Sequence, residues 1–263
     1  MTILDKILAA KAEEVASLKQ SYQKGQKLDK IISASLYDSF IQSDKMSIIA
    51  EIKRASPSKG IINENVDPPK QGKQYQAYGA GAISVLTDQP FFKGTMADLQ
   101  AVREVVDVPL LNKDFIIDEI QIDRAKDYGA NLILLIAAAL PKSRLQELYD
   151  YATQQNLEVL FEVHNEEEMA VANDLQANII GVNNRNLKTF EVDLAITERL
   201  SQLIKKPDTL LISESGFKTT LDVERMVSFG VKGILVGETM MRSGNLQATF
   251  DQLSIPFEQK ENR

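Results

Sequence analysis

The chain of 263 residues contains no cysteine and only one histidine, His164. The absence of cysteine excludes a disulfide framework, a thiolate metal site and a cysteine nucleophile. A single histidine excludes a histidine-rich zinc site and makes any serine–histidine–aspartate triad depend on that residue. Since no carboxylate or hydroxyl partner for a triad stands out, we expect His164 to lie in a loop or behind the reacting groups.

Long apolar runs and an excess of basic residues are also missing. No run approaches the length of a membrane-spanning helix, and the first residues do not resemble a signal peptide. The formal net charge of −7 argues against nucleic acid as a partner. It also repels anionic metabolites, so a phosphorylated substrate requires a local cluster of cations and backbone N–H groups. We expect a cytoplasmic protein that binds neither a membrane nor nucleic acid.

One stretch that is present, residues 47–60 (SIIAEIKRASPSKG), joins a strand pattern to charged side chains. It starts as a short apolar run typical of a buried parallel strand, and then places Glu51 and Lys53 two residues apart. Residues i and i+2 of a strand point to the same side, so both charges face one space at the strand end. A lone pair of this kind is most simply an ion pair, but charged strand ends recur along the chain.

Eight apolar segments have a strand pattern, at residues 48–52, 82–86, 108–111, 131–136, 158–163, 178–182, 209–212 and 232–236. Amphipathic stretches of helical length lie between them, and Gly79, Gly129 and Gly230 stand where three of these stretches end. Strict alternation predicts a parallel sheet, and eight units predict an α/β fold of the (β/α)8 TIM-barrel type. A doubly wound sheet is disfavoured because no glycine-rich nucleotide turn follows the first strand.

We interpret residues 1–263 as a single domain, with the barrel over 47–255 and an N-terminal helical extension over 1–46. Apolar residues recur at helical spacing near 3–12 and 28–40, which favours an extension that docks on the barrel as a cap. A helix over 192–203 is predicted between the sixth and seventh strands. Residues 258–263 have the composition of a polar tail.

Charged and amide side chains collect at the ends of the predicted strands, where the active site of a (β/α)8 barrel lies. A solvated loop rim explains one such residue, since loops are polar. It explains less well a set that converges on one barrel mouth, because a buried charge costs roughly several kcal/mol unless it is paired or used. The set comprises Glu51, Lys53, Lys113, Glu162, Asn183, Arg185 and Glu214.

Turns of small residues follow the seventh and eighth predicted strands, at Ser215-Gly216 and Gly237. Loops at these two positions of (β/α)8 barrels commonly bind phosphate through backbone N–H groups, because glycine allows close approach and a helix N-terminus adds a favourable dipole. The two turns together predict a phosphate cradle. In the first loop, Ser58 offers a hydroxyl to the same phosphate.

The motifs EIKRASPSKG, SVLTDQPFFKGT, LNKDFI, LFEVH, GVNNRNLKTF, ISESG and VGETMM, in this order, resemble those of the indole-3-glycerol phosphate synthases of tryptophan biosynthesis. The resemblance covers essentially the whole chain, including the helical extension. It implies ring closure, decarboxylation and dehydration of 1-(2-carboxyphenylamino)-1-deoxyribulose 5-phosphate to indole-3-glycerol phosphate. Neither a cofactor nor a metal is expected, because the intermediate of ring closure carries its own iminium acceptor.

The resemblance also implies a role for each candidate residue. Lys113 would be the general acid on the substrate carbonyl, and Glu162 would serve in proton transfer and dehydration. Lys53, held by Glu51, would pair with the substrate carboxylate or donate a proton. The other residues would orient the reacting groups (Asn183, Arg185, Glu214), take the phosphate (Ser215, Gly216, Gly237), wall the aromatic ring (Phe92, Phe115, Leu134) or bind substrate from the first loop (Ser56, Ser58).

Several points stay open at the level of sequence. We expect Lys113 to be desolvated near other cations and therefore to have a lowered pKa suited to proton donation. Whether Lys53 or Glu162 is the acid in dehydration is undecided. Glu238 stands where some relatives have a phosphate-contacting serine, so we expect its carboxylate to point elsewhere. Residues 55–61 are predicted to form a mobile lid.

Three alternatives compete with this interpretation. The first is a Schiff-base aldolase, or another sugar-phosphate barrel enzyme, with Lys113 as nucleophile. The second is phosphoribosylanthranilate isomerase, but a cysteine and an aspartate are expected there, and cysteine is absent. The third is a non-catalytic barrel that binds a metabolite. The favoured partner is a small sugar phosphate, and the favoured assembly is a monomer or weak homodimer.

Overall fold

The structure, a computed structural model, describes residues 2–25 and 32–257. Its strands are β1 (Ser47–Ile52), β2 (Ala55–Ser56), β3 (Gly60–Ile61), β4 (Ala82–Leu86), β5 (Leu110–Lys113), β6 (Leu132–Ile136), β7 (Glu158–Val163), β8 (Ile179–Asn183), β9 (Leu210–Glu214) and β10 (Gly233–Val236). Its helices are α1 (Ile3–Ser21), α2 (Leu36–Ile41), α3 (Pro68–Ala77), α4 (Gln89–Phe92), α5 (Met96–Val105), α6 (Glu119–Asp127), α7 (Lys142–Gln154), α8 (Glu166–Asp174), α9 (Ala195–Ser201), α10 (Thr220–Val227), α11 (Glu238–Met241) and α12 (Leu246–Leu253), and a 3-10 turn spans Ala137–Ala139.

Eight of the strands form a closed barrel in the order β1, β10, β9, β8, β7, β6, β5, β4. β1 pairs in parallel with both β10 and β4, which closes the ring. Each of the eight apolar segments corresponds to one barrel strand, with helices between successive strands. The predicted (β/α)8 TIM barrel is therefore confirmed.

Alternation of side chains along each strand divides the apolar core in two. One cluster packs between the strands and the surrounding helices, and a second fills the inside of the barrel. Because residues i and i+2 share a face, a residue two positions beyond an inner apolar side chain points into the barrel mouth. The pairs are Ile49 and Glu51, Leu111 and Lys113, Leu160 and Glu162, and Ile212 and Glu214.

The helix stops expected at three glycines are present. Gly79, Gly129 and Gly230 have φ of +94°, +90° and +77°, in the left-handed region that favours glycine. Each follows a helix by two or three residues and turns the chain back towards the next strand.

Helix α1 lies against the carboxyl end of the barrel. It begins with a capping box between Thr2 and Asp5. On its inner face, the buried Lys11 Nζ lies 3.1 Å from Asp88 Oδ1, after β4, and 2.7 Å from Asp114 Oδ1, after β5. These ion pairs attach the N-terminal helix beside the barrel mouth.

Helix α2 closes the opposite end of the barrel. Its Phe40 ring occupies space left by two glycines, since a Cβ added to Gly81 would lie 2.7 Å from that ring and one added to Gly233 would lie 2.6 Å from it. The Glu158 carboxylate, at the start of β7, accepts hydrogen bonds from the first backbone N–H groups of α2 at 2.8 and 3.2 Å. The two described helices of the extension thus contact both ends of the barrel.

Other expectations for the fold need correction. The helix predicted over 192–203 begins only at Ala195, because Val192 forms an antiparallel bridge with Arg185 and Asp193 accepts a hydrogen bond from Ala195 N. The short hairpin of β2 and β3 and the helices α4 and α11 were not predicted from the sequence, since each has only two to four residues. The predicted tail at 258–263 and part of the predicted segment 28–40 lie outside the described residues.

Candidate active site

A cavity of about 790 Å³ opens at the carboxyl ends of the barrel strands. Every candidate residue from the sequence lies in its lining, although more than 100 residues of sequence separate some of them. Those residues are Glu51, Lys53, Ser56, Ser58, Phe92, Lys113, Phe115, Leu134, Glu162, Asn183, Arg185, Glu214, Ser215, Gly216 and Gly237.

Lys113, the last residue of β5, is ion-paired with two carboxylates at the floor of the cavity. Its Nζ lies 2.6 Å from Glu214 Oε2 and 3.2 Å from Glu162 Oε2. Burial alone would lower the pKa of Lys113, but the charges of Glu214, Glu162 and Glu51 outweigh it and raise the pKa above its ordinary value. The expected lowered pKa is therefore wrong for the unliganded site, because the nearest charges are carboxylates and not cations.

The two partners of Lys113 differ in their electrostatic surroundings. For Glu162, burial opposes ionisation, but the positive charges of Lys113 and His164 outweigh it and hold the pKa below the ordinary value. For Glu214, burial dominates and raises the pKa, with the negative charge of Glu162 adding to that effect. Two carboxylates with pKa values moved in opposite directions are typical of acid–base sites.

Glu51 and Lys53, at the end of β1, form a second ion pair in the barrel mouth, 2.5 Å apart at Oε1 and Nζ. Glu51 is almost fully buried, whereas Lys53 keeps 17% of its side chain exposed to the cavity. Gly237, after β10, makes room for this pair, since a Cβ there would lie 2.3 Å from Glu51 Oε1 and 3.0 Å from Lys53 Nζ. A side chain at residue 237 would therefore displace the pair.

Asn183 links the catalytic floor to the turn that follows β9. Its Nδ2 donates to Glu162 Oε1 at 3.2 Å, and its Oδ1 accepts from Ser215 Oγ at 3.0 Å and from Arg185 N at 3.1 Å. Ser215 and Gly216 have consecutive φ values of +69° and +103°. A left-handed serine is strained, and turns can expose successive backbone N–H groups in a concave surface that binds anions.

Apolar side chains form the remaining wall. The rings of Phe92 and Phe115 lie 5.9 Å apart between centroids and are tilted by 36°, and Leu134 lines the cavity from β6. Helix α1 also contributes to the wall, through Ile3, Leu4 and Ile7, and the loop after β8 contributes Leu187, Phe190 and Val192. Neither contribution was predicted from the sequence. Because apolar side chains also fill the core, their apolar character alone does not show that these residues line a cavity.

The loop after β1 contacts the region of the predicted phosphate cradle. Ser56 Oγ and Ser58 Oγ are 3.4 Å apart, and Lys59 Nζ lies 3.7 Å from Glu238 Oε1. Glu238 also pairs with Arg242, at 3.3 Å between Oε1 and Nε. The Glu238 carboxylate is thus paired with two cations at the cavity rim. Lys218 also lines the cavity.

His164 lies behind the reacting groups, in agreement with the sequence expectation. No carboxylate partner for its ring stood out in the sequence, but Glu162 and Glu168 both lie within 3.2 Å of its ring nitrogens. Glu168 stands four residues downstream, on the first turn of α8, so the spacing of the two residues is a local sequence signal for this contact.

Residues 2–25 and 32–257 contain neither a metal-binding cluster nor a helix that could cross a membrane. Within those ranges no group of three or more histidine, cysteine, aspartate or glutamate side chains is arranged to hold a metal ion. No helix in the same part of the chain combines the length and apolar character needed to cross a membrane.

A (β/α)8 barrel with buried, ion-paired lysines and glutamates around a cavity at its mouth is an enzyme fold equipped for acid–base chemistry on a small molecule. The sequence model of the family described as "Indole-3-glycerol phosphate synthase" matches residues 4–253. The chain belongs to the indole-3-glycerol phosphate synthase family, decarboxylating lyases of tryptophan biosynthesis.

Individual relatives agree with this assignment. The indole-3-glycerol phosphate synthase of Oceanobacillus iheyensis is 54% identical over 261 residues, covering 98% of both chains. That of Bacillus cereus strain ATCC 10987 is 51% identical over 254 residues, covering 97% of this chain and 98% of the relative. A solved thiamine phosphate pyrophosphorylase from Pyrococcus furiosus shares the fold, with a TM-score of 0.60 at 15% identity over 83% of this chain and 96% of the other.

Proposed function

We propose that this enzyme converts 1-(2-carboxyphenylamino)-1-deoxyribulose 5-phosphate into indole-3-glycerol phosphate, with CO₂ and water as the other products. The observation that carries the assignment of roles is the position of Lys113. Its ammonium group lies in the cavity between Glu162 and Glu214, beside a wall of two aromatic rings.

In this proposal Lys113 is the general acid of ring closure. The aromatic carbon attacks the C2 carbonyl of the sugar chain, and the developing alkoxide takes a proton from Nζ. A raised pKa keeps Lys113 protonated until the substrate arrives, and the partly negative oxygen then competes with the carboxylates for its proton. Glu214, at 2.6 Å, holds the ammonium group in position.

Glu162 and Lys53 carry the later proton transfers. Loss of CO₂ from the ring-closed intermediate leaves its electrons in the iminium acceptor, so the ring system itself is the electron sink. Loss of the hydroxyl group then needs an acid, and rearomatisation needs a base. Glu162, whose lowered pKa keeps it ionised, is placed to accept the proton, and Lys53, held by Glu51, is placed to bind the departing carboxylate and to protonate the hydroxyl.

The remaining groups bind and orient the substrate. The consecutive left-handed residues Ser215 and Gly216, with Gly237 at the start of α11, offer backbone N–H groups to the phosphate. Ser56 and Ser58 would add hydroxyl donors from the first loop, and Arg185 and Asn183 would orient the sugar chain. Phe92, Phe115 and Leu134 would hold the anthranilate ring.

The Schiff-base aldolase is the main competing function, and the surroundings of Lys113 disfavour it. A nucleophilic lysine must lose its proton to attack a carbonyl, which requires a lowered pKa. Three carboxylates raise the pKa of Lys113 instead. Borohydride added with substrate would trap a covalent adduct at Lys113 only if the aldolase interpretation were correct.

The proposed activity is tested by following indole fluorescence when the purified chain meets the carboxyphenylamino-deoxyribulose phosphate in the presence of a chelator. We expect steady product formation that the chelator leaves unchanged. If the substrate binds without turnover, the chain is a non-catalytic barrel that binds a metabolite. If borohydride traps the substrate as a covalent adduct, the aldolase interpretation replaces the proposal. We also propose a cytoplasmic location. We further propose a monomeric or weakly dimeric state, and sedimentation of the purified chain would test that state.

Gly181→Ala is expected to lower kcat by about tenfold to a hundredfold, because small displacements of catalytic groups are costly. A Cβ at this position would lie 2.2 Å from Glu214 Oε1, so the carboxylate must leave its place beside Lys113. Steady-state kinetics would measure the loss. Gly244→Ala is the matched control, since no atom lies within 4 Å of its added Cβ, and an unchanged kcat in Gly181→Ala would contradict the assigned place of Glu214.

We also propose that the hairpin loop around β2 and β3 closes over the substrate as a lid. Lys59 on this loop already pairs with Glu238 across the cavity rim. Cysteines at these two positions, joined by a bismaleimide, are expected to lower turnover by about tenfold because a closed loop hinders substrate entry and product release. The chain has no cysteine of its own, so the link forms only there. The same double variant capped with N-ethylmaleimide is the control, and equal turnover of both forms would refute the lid.

A further inference from the structure

His164, directly after β7, is held between two carboxylates and has only 10% of its side chain exposed. Its Nε2 lies 3.2 Å from Glu162 Oε1, and its Nδ1 lies 3.0 Å from Glu168 Oε2. A neutral imidazole has one N–H and one lone pair, so it could present a donor to only one of them. When both nitrogens carry a proton, the imidazolium presents an N–H group and a positive charge to each of the two carboxylates.

The local structure fixes the orientation of this ring. Asn165 caps helix α8 by accepting from Glu168 N at 2.9 Å, and its Nδ2 donates to Glu168 Oε1 at 2.6 Å. The other carboxylate oxygen, Oε2, accepts from His164 N at 2.8 Å and contacts Nδ1. Glu168 is therefore held at three points, and it holds the imidazole with Nε2 3.2 Å from Glu162 Oε1, a contact between charges rather than a well-aligned hydrogen bond.

We propose that His164 is a positioning residue for the reaction, an imidazole protonated at neutral pH whose charge holds Oε1 of Glu162 and thereby directs Oε2 towards Lys113. The contacts form one chain of alternating charge, which runs from Glu168 through His164, Glu162 and Lys113 to Glu214. The effect on turnover rests on the proposed function, whereas the charge state of His164 does not.

The electrostatics support this assignment. Burial favours the neutral imidazole, but Glu162 and Glu168 outweigh it and raise the pKa of His164 to about 10. In the part of the chain that the structure describes, these two carboxylates, from β7 and α8, are the charged groups in contact with the ring. Without the imidazolium, Glu162 would keep one cation, Lys113, and would share it with Glu214. Its pKa would then rise, and its second oxygen would be held by Asn183 alone.

His164 can be observed directly, because it is the only histidine in the chain. Imidazole resonances in an NMR titration of the full-length protein therefore need no assignment. We expect a titration midpoint near pH 10 in the wild type, falling by about one pH unit or more in Glu168→Gln. A wild-type midpoint near the ordinary value of about 6.5 would overturn the proposal, whatever the enzymatic activity of the protein.

Kinetics of His164→Gln across pH would test the positioning effect. Gln can still donate a hydrogen bond but carries no charge. We expect kcat to fall by about tenfold with KM nearly unchanged, as for residues that orient a catalytic group. The acidic limb of the kcat profile should move up by about one pH unit, because Glu162 loses a neighbouring positive charge.

A merely structural role for His164 would give a different result. Turnover would then fall only with the fraction of folded protein, and the acidic limb would stay in place, which would overturn the proposal. If the wild type forms no indole product, the proposed function fails, and the NMR titration alone decides whether His164 is the cation that holds Glu162.

Discussion

Lys113→Ala is expected to reduce kcat by about a hundredfold or more, because it removes the group placed to protonate the closing carbonyl. The substitution also leaves Glu162 and Glu214 buried without the cation that lies between them. Some loss of stability is therefore expected as well, since removing one partner of a buried ion pair leaves an uncompensated charge. The indole fluorescence assay, with unfolding followed by circular dichroism, would measure both effects.

Two further variants separate catalysis from charge balance. Lys113→Ala combined with Glu214→Gln is expected to regain stability but not turnover. The unpaired carboxylate of Glu214 is removed, but the general acid Lys113 is still missing. Lys126→Ala, on the exposed face of α6, is the matched control and should leave kcat unchanged. If Lys113→Ala kept wild-type turnover, the acid would have to be assigned elsewhere, and Lys53 would be the next candidate.

Lys11→Met is expected to destabilise the fold by about 3–5 kcal/mol, the usual cost of leaving buried charges without a partner. Lys11 is 1% exposed, and Asp88 and Asp114, which it neutralises, are 0% and 2% exposed. The free energy of unfolding would be measured by urea denaturation with circular dichroism or tyrosine fluorescence, because the chain contains no tryptophan.

The loss of folding stability in Lys11→Met should also depend on pH. Burial raises the pKa of Asp88 already in the presence of Lys11, and removing the cation raises it further. A carboxyl whose pKa is higher in the folded than in the unfolded state destabilises the fold above that pKa, and the penalty disappears as pH falls. The variant should therefore be closer to the wild type at pH 5 than at pH 8.

A triple variant tests whether charge or packing accounts for the loss. Adding Asp88→Asn and Asp114→Asn to Lys11→Met should recover much of the stability, since no buried charge is then left unpaired. Glu14→Gln removes the partly exposed partner that Lys11 shares with Arg124 and should cost less than about 1 kcal/mol. A loss below about 1 kcal/mol in Lys11→Met would show that water reaches the two aspartates.

Contacts between distant segments account for most of what sequence reasoning missed. Lys113 and Glu214 are 101 residues apart in the chain, and their pairing reverses the expected direction of the Lys113 pKa. The side chains of α1 that line the cavity look like any apolar helix face until the helix is docked. His164 is an intermediate case, because both partners of its ring are near in sequence, Glu162 two residues before it and Glu168 four residues after it, on the first turn of α8.

The local sequence pattern determined the barrel fold and which residues lie at the barrel mouth. Two-residue periodicity sets which side of a strand each residue faces, so an apolar residue such as Ile212 followed by Glu214 already places a carboxylate at the mouth. Glycine at the helix ends likewise follows from backbone sterics. Only the tertiary structure decided the partners, the charge states and the free space, because these depend on distances between segments that are remote in sequence. Gly181 and Gly237 show this most directly, since each leaves room for a carboxylate from another strand.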